Sequence, residues 1–134
     1  MGTVLIVESD PQISTDWIEA LGERGHAVLA ASQMRDALPF VKDGGIDAIV
    51  LDVDEPRSGL VELARSIAAL PDAPPVVLVS GSPYAPQISA RIGAAAFIPS
   101  PCTPNDVVAA VARMLGEVRP VLQIEDEPIT MIRR

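Results

Sequence analysis

Five short apolar runs recur along the 134-residue chain, each followed by a longer stretch in which apolar residues return every three or four positions. The runs are Thr3–Val7, His26–Ala31, Ile46–Leu51, Val76–Val79 and Ala95–Ile98. Runs of this length, rich in Val and Ile, read as strands, and unbroken apolarity within them reads as burial on both faces. A helix between two strands carries the chain back across the sheet, so every strand points the same way. The predicted fold class is therefore α/β, a doubly wound five-stranded parallel sheet with helices on both faces. Only two Phe, one Tyr and one Trp are available. The core must be aliphatic, which suits strands buried on both sides.

The intervening helices are signposted to different degrees. Ile13, Trp17, Ile18 and Leu21 fall at helical spacing, with Gly22 and Gly25 expected to stop that helix. A second helix is expected over Gln33–Lys42, kinked at Pro39. Leu60, Leu63, Ile67 and Leu70 line one face of a third. A fourth is expected over Ala85–Ile92, with Pro83 and Pro86 crowding its start. The last is marked best, with Thr103 as cap, Pro104 first and Asp106 third, followed by apolar Val107, Val108, Val111 and Leu115.

Composition narrows the function. A hydrophobic fraction of 49% with 21% charged residues describes one globular domain. A net charge of −8 argues against nucleic acid or an anionic membrane surface as partner. No apolar run approaches the length of a membrane span. The single cysteine, Cys102, has no partner for an internal disulfide and no secretory signal opens the chain, so a reducing, cytoplasmic location is expected. Cys102 reads as a small core residue and not a nucleophile, because the one histidine, His26, lies far away in sequence.

In open parallel sheets, sites form at the carboxyl ends of the strands near the switch in strand order. That draws attention to Glu8–Asp10, Asp52–Glu55, Ser80-Gly81 and Ser100. Four segments carry a specific resemblance: VLIVESDP at 4–11, IVLDVDEP at 49–56, VVLVSG at 76–81 and GAAAFIPSP at 93–101. Over about residues 3–116 the chain resembles the receiver domains of bacterial two-component systems. The resemblance implies a flavodoxin-like (βα)5 sheet in strand order 2-1-3-4-5 and a role in phosphorelay signal transduction. Its partners would be a histidine kinase or phosphotransfer protein and a downstream protein. It implies no enzyme activity.

Carried over by position, Asp52 matches the family's phosphoacceptor, Ser80 its hydroxyl switch and Phe97 its switch aromatic. Glu8 matches the first acid of the Mg²⁺-holding pair. Two positions depart. Ser9 stands where the second acid is a direct metal ligand, and Ser100 stands where a lysine contacts the phosphoryl group. The one lysine of the chain, Lys42, belongs to the second helix. Glu8, Ser9, Asp10 and Asp54 are thus expected to form an acidic remnant of the metal site. Glu8 and Asp52 would hold Mg²⁺ weakly or not at all.

Both losses bear on the chemistry. Phosphorylating a carboxylate raises its charge from about −1 to about −2, so transfer needs positive charge on the moving oxygens. A unit-charge contact near 4 Å contributes on the order of 4 kcal/mol at an effective dielectric of 20. The residues therefore point to an atypical receiver that works by protein–protein interaction. The alternative is a fully phosphorylation-switched, single-domain response regulator. A remoter one is a small phosphatase using the Asp52-Val53-Asp54 motif as nucleophile, which lacks a suitable lysine. A nucleotide-binding relative would need a Gly/Ser/Thr-rich phosphate cradle after the first strand, and Glu8-Ser9-Asp10-Pro11 would repel phosphate.

Residues 117–134 form a tail. Its PVLQIEDEPIT at 120–130 repeats the opening TVLIVESDPQIS, with Glu125-Asp126 over Glu8-Ser9. It reads as the start of a truncated second receiver or as an accidental match. As an orphan strand, Val121–Ile124 would seek a sheet edge on its own domain or on a second copy, which allows a homodimer.

Overall fold

A computed structural model describes residues 1–53 and 59–116. In chain order the elements are β1 (Thr3–Val7), α1 (Pro11–Glu23), β2 (Ala27–Ala31), α2 (Met34–Asp43), β3 (Ala48–Asp52), α3 (Leu60–Ala68), β4 (Val76–Ser80), α4 (Ala85–Ile92), β5 (Ala96–Pro99) and α5 (Pro104–Met114). The five strands are parallel and lie in the order β2-β1-β3-β4-β5. The architecture matches the one expected from the alternation of runs. Asp54 and residues 117–134, including the repeat-like Val121–Ile124, lie outside the described residues.

Alternation along the strands divides the core into two layers. Leu5, Val7, Ile49, Leu51 and Leu78 face α2, α3 and α4. Val4, Ile6, Val50, Val77 and Val79 face α1 and α5, meeting Trp17, Leu21, Val107 and Val111. Every residue of β4 is buried, which is why its sequence runs apolar from Val76 to Val79 and admits a polar residue only at its end, Ser80.

Three local expectations change. α1 runs through Gly22 to Glu23, because Trp17 and Leu21 anchor it to the core and outweigh one glycine. The stop comes at Gly25, whose φ of +88° turns the chain toward β2. Ile13 and Ile18, expected on the buried face, are exposed. α2 covers the expected stretch, running through Pro39 to Asp43. Pro39 sits on the exposed side, where the Arg35 carbonyl left without its donor can meet water. β2 begins at Ala27, since the His26 N–H is spent on the Leu21 carbonyl closing α1 (3.2 Å).

α5 begins as its sequence specifies. Thr103 Oγ1 accepts from the Asp106 N–H (3.2 Å) and Asp106 Oδ2 accepts from the Thr103 N–H (2.9 Å). Thr103 is exposed, so removing its hydroxyl opens no cavity. Thr103→Ala is expected to cost about 1 kcal/mol, a fall in Tm of roughly 3–6 °C for a domain of this size. Calorimetry of the two chains measures it.

The amino terminus is tied down beside a buried imidazole. The Gly2 N–H donates to His26 Nδ1 (3.1 Å), the Ala27 N–H to the Gly2 carbonyl (3.0 Å) and the Thr3 N–H to Asp47 Oδ2 (2.7 Å). Burial lowers the pKa of His26, with the terminal ammonium and Arg24 adding to the effect against a raising contribution from the Gly2 backbone. The folded protein thus prefers the neutral ring more than the unfolded chain does. Stability from this site is complete above the unfolded value near 6.5 and is lost as pH falls through the lower folded value. Urea midpoints are expected to drop between pH 7 and 5.5 in the natural chain, and to drop less in His26→Leu.

Candidate phosphoacceptor site

Strand register assembles the site. Val7 pairs with Leu51, so the following residues, Glu8 and Asp52, stand side by side on adjacent strands. Strand spacing sets their backbones about 4.8 Å apart. Asp52 pairs with Val79, and Ser80 pairs with Pro99. The Ser100 N–H then donates to the Ser80 carbonyl at 2.9 Å. The four strand ends picked out from the sequence are therefore one continuous rim.

The pleat sorts their side chains between the two layers. Ile6 and Val50 face α1 and α5, so Glu8 and Asp52, two positions on, lie on that side. Ala96 and Ile98 pack on the same side, which carries Ser100 there as well. Leu78 faces the opposite layer, and Ser80 follows it. Phe97, between Ala96 and Ile98, also lies on that opposite side and is exposed. The sequence-matched residues thus form two sets: Glu8, Asp52 and Ser100 on one face, Ser80 and Phe97 on the other.

Each residue's contacts limit what it can do. Asp52 is half-buried at the end of β3. Ser80 is buried, and its Oγ accepts from the Ser82 N–H (3.1 Å). Asp10 Oδ1 caps α1, accepting from the N–H groups of Gln12 (2.8 Å) and Ile13 (3.2 Å). That duty makes Asp10 a structural acid first. Ser9 is exposed. Lys42 occupies the last turn of α2, which runs antiparallel to the strands and so ends at the far rim of the sheet.

Glu8 is the chemically unusual member. Only 6% of it is exposed, Oε2 accepts from the Asp10 N–H at 2.8 Å, and buried Oε1 has no hydrogen-bond partner among the described residues. A buried carboxylate oxygen without a partner costs free energy that a cation would offset. Among the described residues no three His, Cys, Asp or Glu side chains gather closely enough to hold a metal ion. Mg²⁺ needs only one or two carboxylates when water fills its other positions. Glu8 and Asp52 fit that minimal set.

Cys102 is a participant the sequence placed only in the core. It packs, half-buried, against the α1–α5 layer, two residues beyond Ser100 and the cis Ser100–Pro101 bond. Burial raises its thiol pKa, and the carboxylates of Asp106, Asp52 and Glu8 push it further up. It stays protonated at neutral pH, as a packing residue would. Its two-residue offset from Ser100 was the available signal.

The chain is a doubly wound parallel α/β domain with acidic residues at the carboxyl ends of its central strands. Residues 4–112 match the response regulator receiver domain family, and the chain belongs to it. Two curated relatives are the transcriptional regulatory protein PdtaR of Mycobacterium tuberculosis and the transcriptional regulatory protein BaeR of Escherichia coli. The first is 29% identical over 133 residues, 98% of this chain and 65% of the relative. The second is 28% identical over 125 residues, 92% of this chain and 52% of the relative. The chain thus spans between half and two thirds of these relatives' length.

Among solved structures, the signal receiver domain of a histidine kinase from Syntrophus aciditrophicus superposes with a TM-score of 0.74 at 28% identity, covering 96% of this chain and 98% of that one. A CheY-like receiver domain protein from Methanospirillum hungatei shares the fold, with a TM-score of 0.75 at 23% identity over 87% of this chain and 95% of that one. Receiver domains interact with histidine kinases or phosphotransfer proteins, and they typically bind Mg²⁺ at the phosphorylation site. No helix among the described residues is long and apolar enough to cross a membrane.

Proposed function

We propose that this chain is an atypical receiver whose output is a protein contact and whose phosphorylation at Asp52 is slow or absent. Ser100 carries this reading. It lies on the same face of the sheet as Glu8 and Asp52, and it offers a short neutral hydroxyl where a lysine would bring a positive charge. Lys42, at the far rim, cannot replace it.

In phosphoryl transfer to this site, an Asp52 carboxylate oxygen would bond to phosphorus while the bond to the donor's leaving atom breaks. Glu8 and Asp52 would hold Mg²⁺, which supplies positive charge to the transferring oxygens when bound. Among the described residues, the chain's own groups add little more. Asp10 is occupied as a helix cap, and the Ser80 hydroxyl is held by Ser82. The transferred charge would meet an anionic rim with weak compensation, which favours the unphosphorylated state.

The phosphorylation-switched alternative draws its support from Glu8. Its buried Oε1, without a partner among the described residues, leaves a place for a cation, and Asp52 supplies the carboxylate that an acceptor needs. Exposure to acetyl phosphate and Mg²⁺ separates the two readings. Intact-mass measurement is expected to find little phosphoprotein, and none in Asp52→Asn. Rapid, full uptake that Asp52→Asn abolishes would establish the switched form instead. The module's cytoplasmic location belongs to the same proposal, since kinase and receiver must meet.

A further inference from the structure

α3 and α4 run side by side in one direction, since each carries the chain back antiparallel to the strand before it. Where they face each other, both present the same helical spacing. Val61, Ala64, Arg65 and Ala68 of α3 fall at i, i+3, i+4 and i+7. Tyr84, Gln87, Ile88 and Arg91, counted from the cap of α4, repeat that interval. Such a stripe is the seam that one helix offers to another. The two stripes wall an apolar trough, in which adjoining cavities of about 350 Å³ and about 410 Å³ share Ile92. Val61 and Tyr84 stand 42% and 61% exposed, so nothing among the described residues covers it.

The size of the trough suits a helix. α3 has nine residues and α4 eight, which makes the trough about 12–14 Å long at 1.5 Å per residue, or two to three helical turns. Its walls are side chains of helices, so it offers no strand edge for an extended peptide to pair with. Charge narrows the occupant further. Arg65 on one wall and Arg91 on the other line a shared cavity of about 320 Å³. Neither guanidinium has an ion pair or hydrogen bond among the described residues, although the chain carries a net charge of −8. Two like charges on one small cavity repel each other, and carboxylates brought to them turn that repulsion into paired hydrogen bonds.

We infer that the α3–α4 trough docks an amphipathic helix of a partner protein, with Asp or Glu on both borders of its apolar stripe. The stripe packs on Val61, Ala64, Ile88 and Ile92, while one acidic border meets Arg65 and the other meets Arg91. Charges beside an apolar seam fix which helix is accepted and in which orientation. The inference names the partner class for the protein-contact output proposed above, and it rests on that reading. It is separable from the chemistry of Asp52, because no trough residue belongs to the strand-end rim. Rapid phosphoryl uptake would leave the docking site intact, and a failure to dock would leave phosphoryl uptake as it was.

A displayed library of 16-residue helical peptides is the probe, with Leu or Ile fixed along one stripe and the bordering positions randomised among Glu, Gln and Lys. Selection on the full chain is expected to enrich Glu on both borders. The selected peptide should shift the amide resonances of Val61, Ala68 and Arg91. It should bind about tenfold or more tightly than the same peptide with Lys at its borders. Arg65→Glu with Arg91→Glu, both at exposed positions, should invert that preference. Val61→Asp should weaken both peptides, since it spoils the apolar seam and leaves the two arginines in place. No enriched sequence, enrichment without a charge bias, or shifts centred on Phe97 or α1 would overturn the inference. Self-association of the chain alone that protects the same amides and fades on dilution would make a second copy the occupant, and would overturn it too.

Discussion

The double substitution Ser9→Asp with Ser100→Lys is expected to raise the rate of phosphoryl uptake at Asp52 by about a hundredfold or more. Removing one preorganised charge-stabilising donor from an active site typically costs on the order of 10²–10³ in rate, and two are being restored. Ser100 is the right place for the cation because β5 register and pleat put it on the face shared by Glu8 and Asp52. Neither single change should match the pair. A lysine without the second acid still faces a weakly held metal, and a metal without the lysine leaves part of the charge unmet. Their effects act on the same charge and should be non-additive. Time courses with acetyl phosphate, read by intact mass, measure all four chains. A double variant no faster than the natural chain would show that the missing charges are not what limits transfer.

Mg²⁺ affinity should follow the same logic. The natural chain is expected to bind the ion weakly, and Ser9→Asp to tighten it by about tenfold or more, from one added carboxylate near a divalent ion. Ser9 is exposed, so the substitution adds charge without disturbing packing. Glu8→Gln should move affinity the other way, because it neutralises the buried carboxylate whose Oε1 lacks a partner among the described residues. Calorimetric titration at constant ionic strength gives each dissociation constant. Equal affinities for the natural chain and Ser9→Asp would mean that position 9 does not contribute to the metal site.

The sequence made the strands legible because burial on both faces leaves a simple mark: VLIV, AIVL and VVLV admit no polar residue. The cap of α5 was legible for a similar reason, since Thr103, Pro104 and Asp106 each answer a local need of a helix start. Where tertiary packing overrode local preference, the reading failed. Gly22 sits within α1 because Trp17 and Leu21 hold the helix from the other side. The site's members were legible as strand-end residues, but their roles were only partly so. The Asp10-Pro11 pair is a local mark of the α1 cap of the same kind as Thr103-Pro104, but the neighbouring acids drew Asp10 into the metal site instead. Nothing local places Cys102 within the field of Asp52 and Glu8, since that depends on how strands and helices meet.

The division of the rim between two layers makes β5, one of the two edge strands, sensitive to a slip in register. Its four residues pair only with β4, so a single inserted or deleted residue between Gly93 and Ala95 could be absorbed by sliding the strand one place. Such a slide would turn Phe97 inward against α5 and send Ser100 to the face of Ser80. Substitutions at position 100 can therefore change the chemistry of Asp52 while leaving the aromatic face untouched, whereas a length change in the preceding turn alters both at once. Variation in this segment should consequently appear as exchanges of residue type, with its length held fixed.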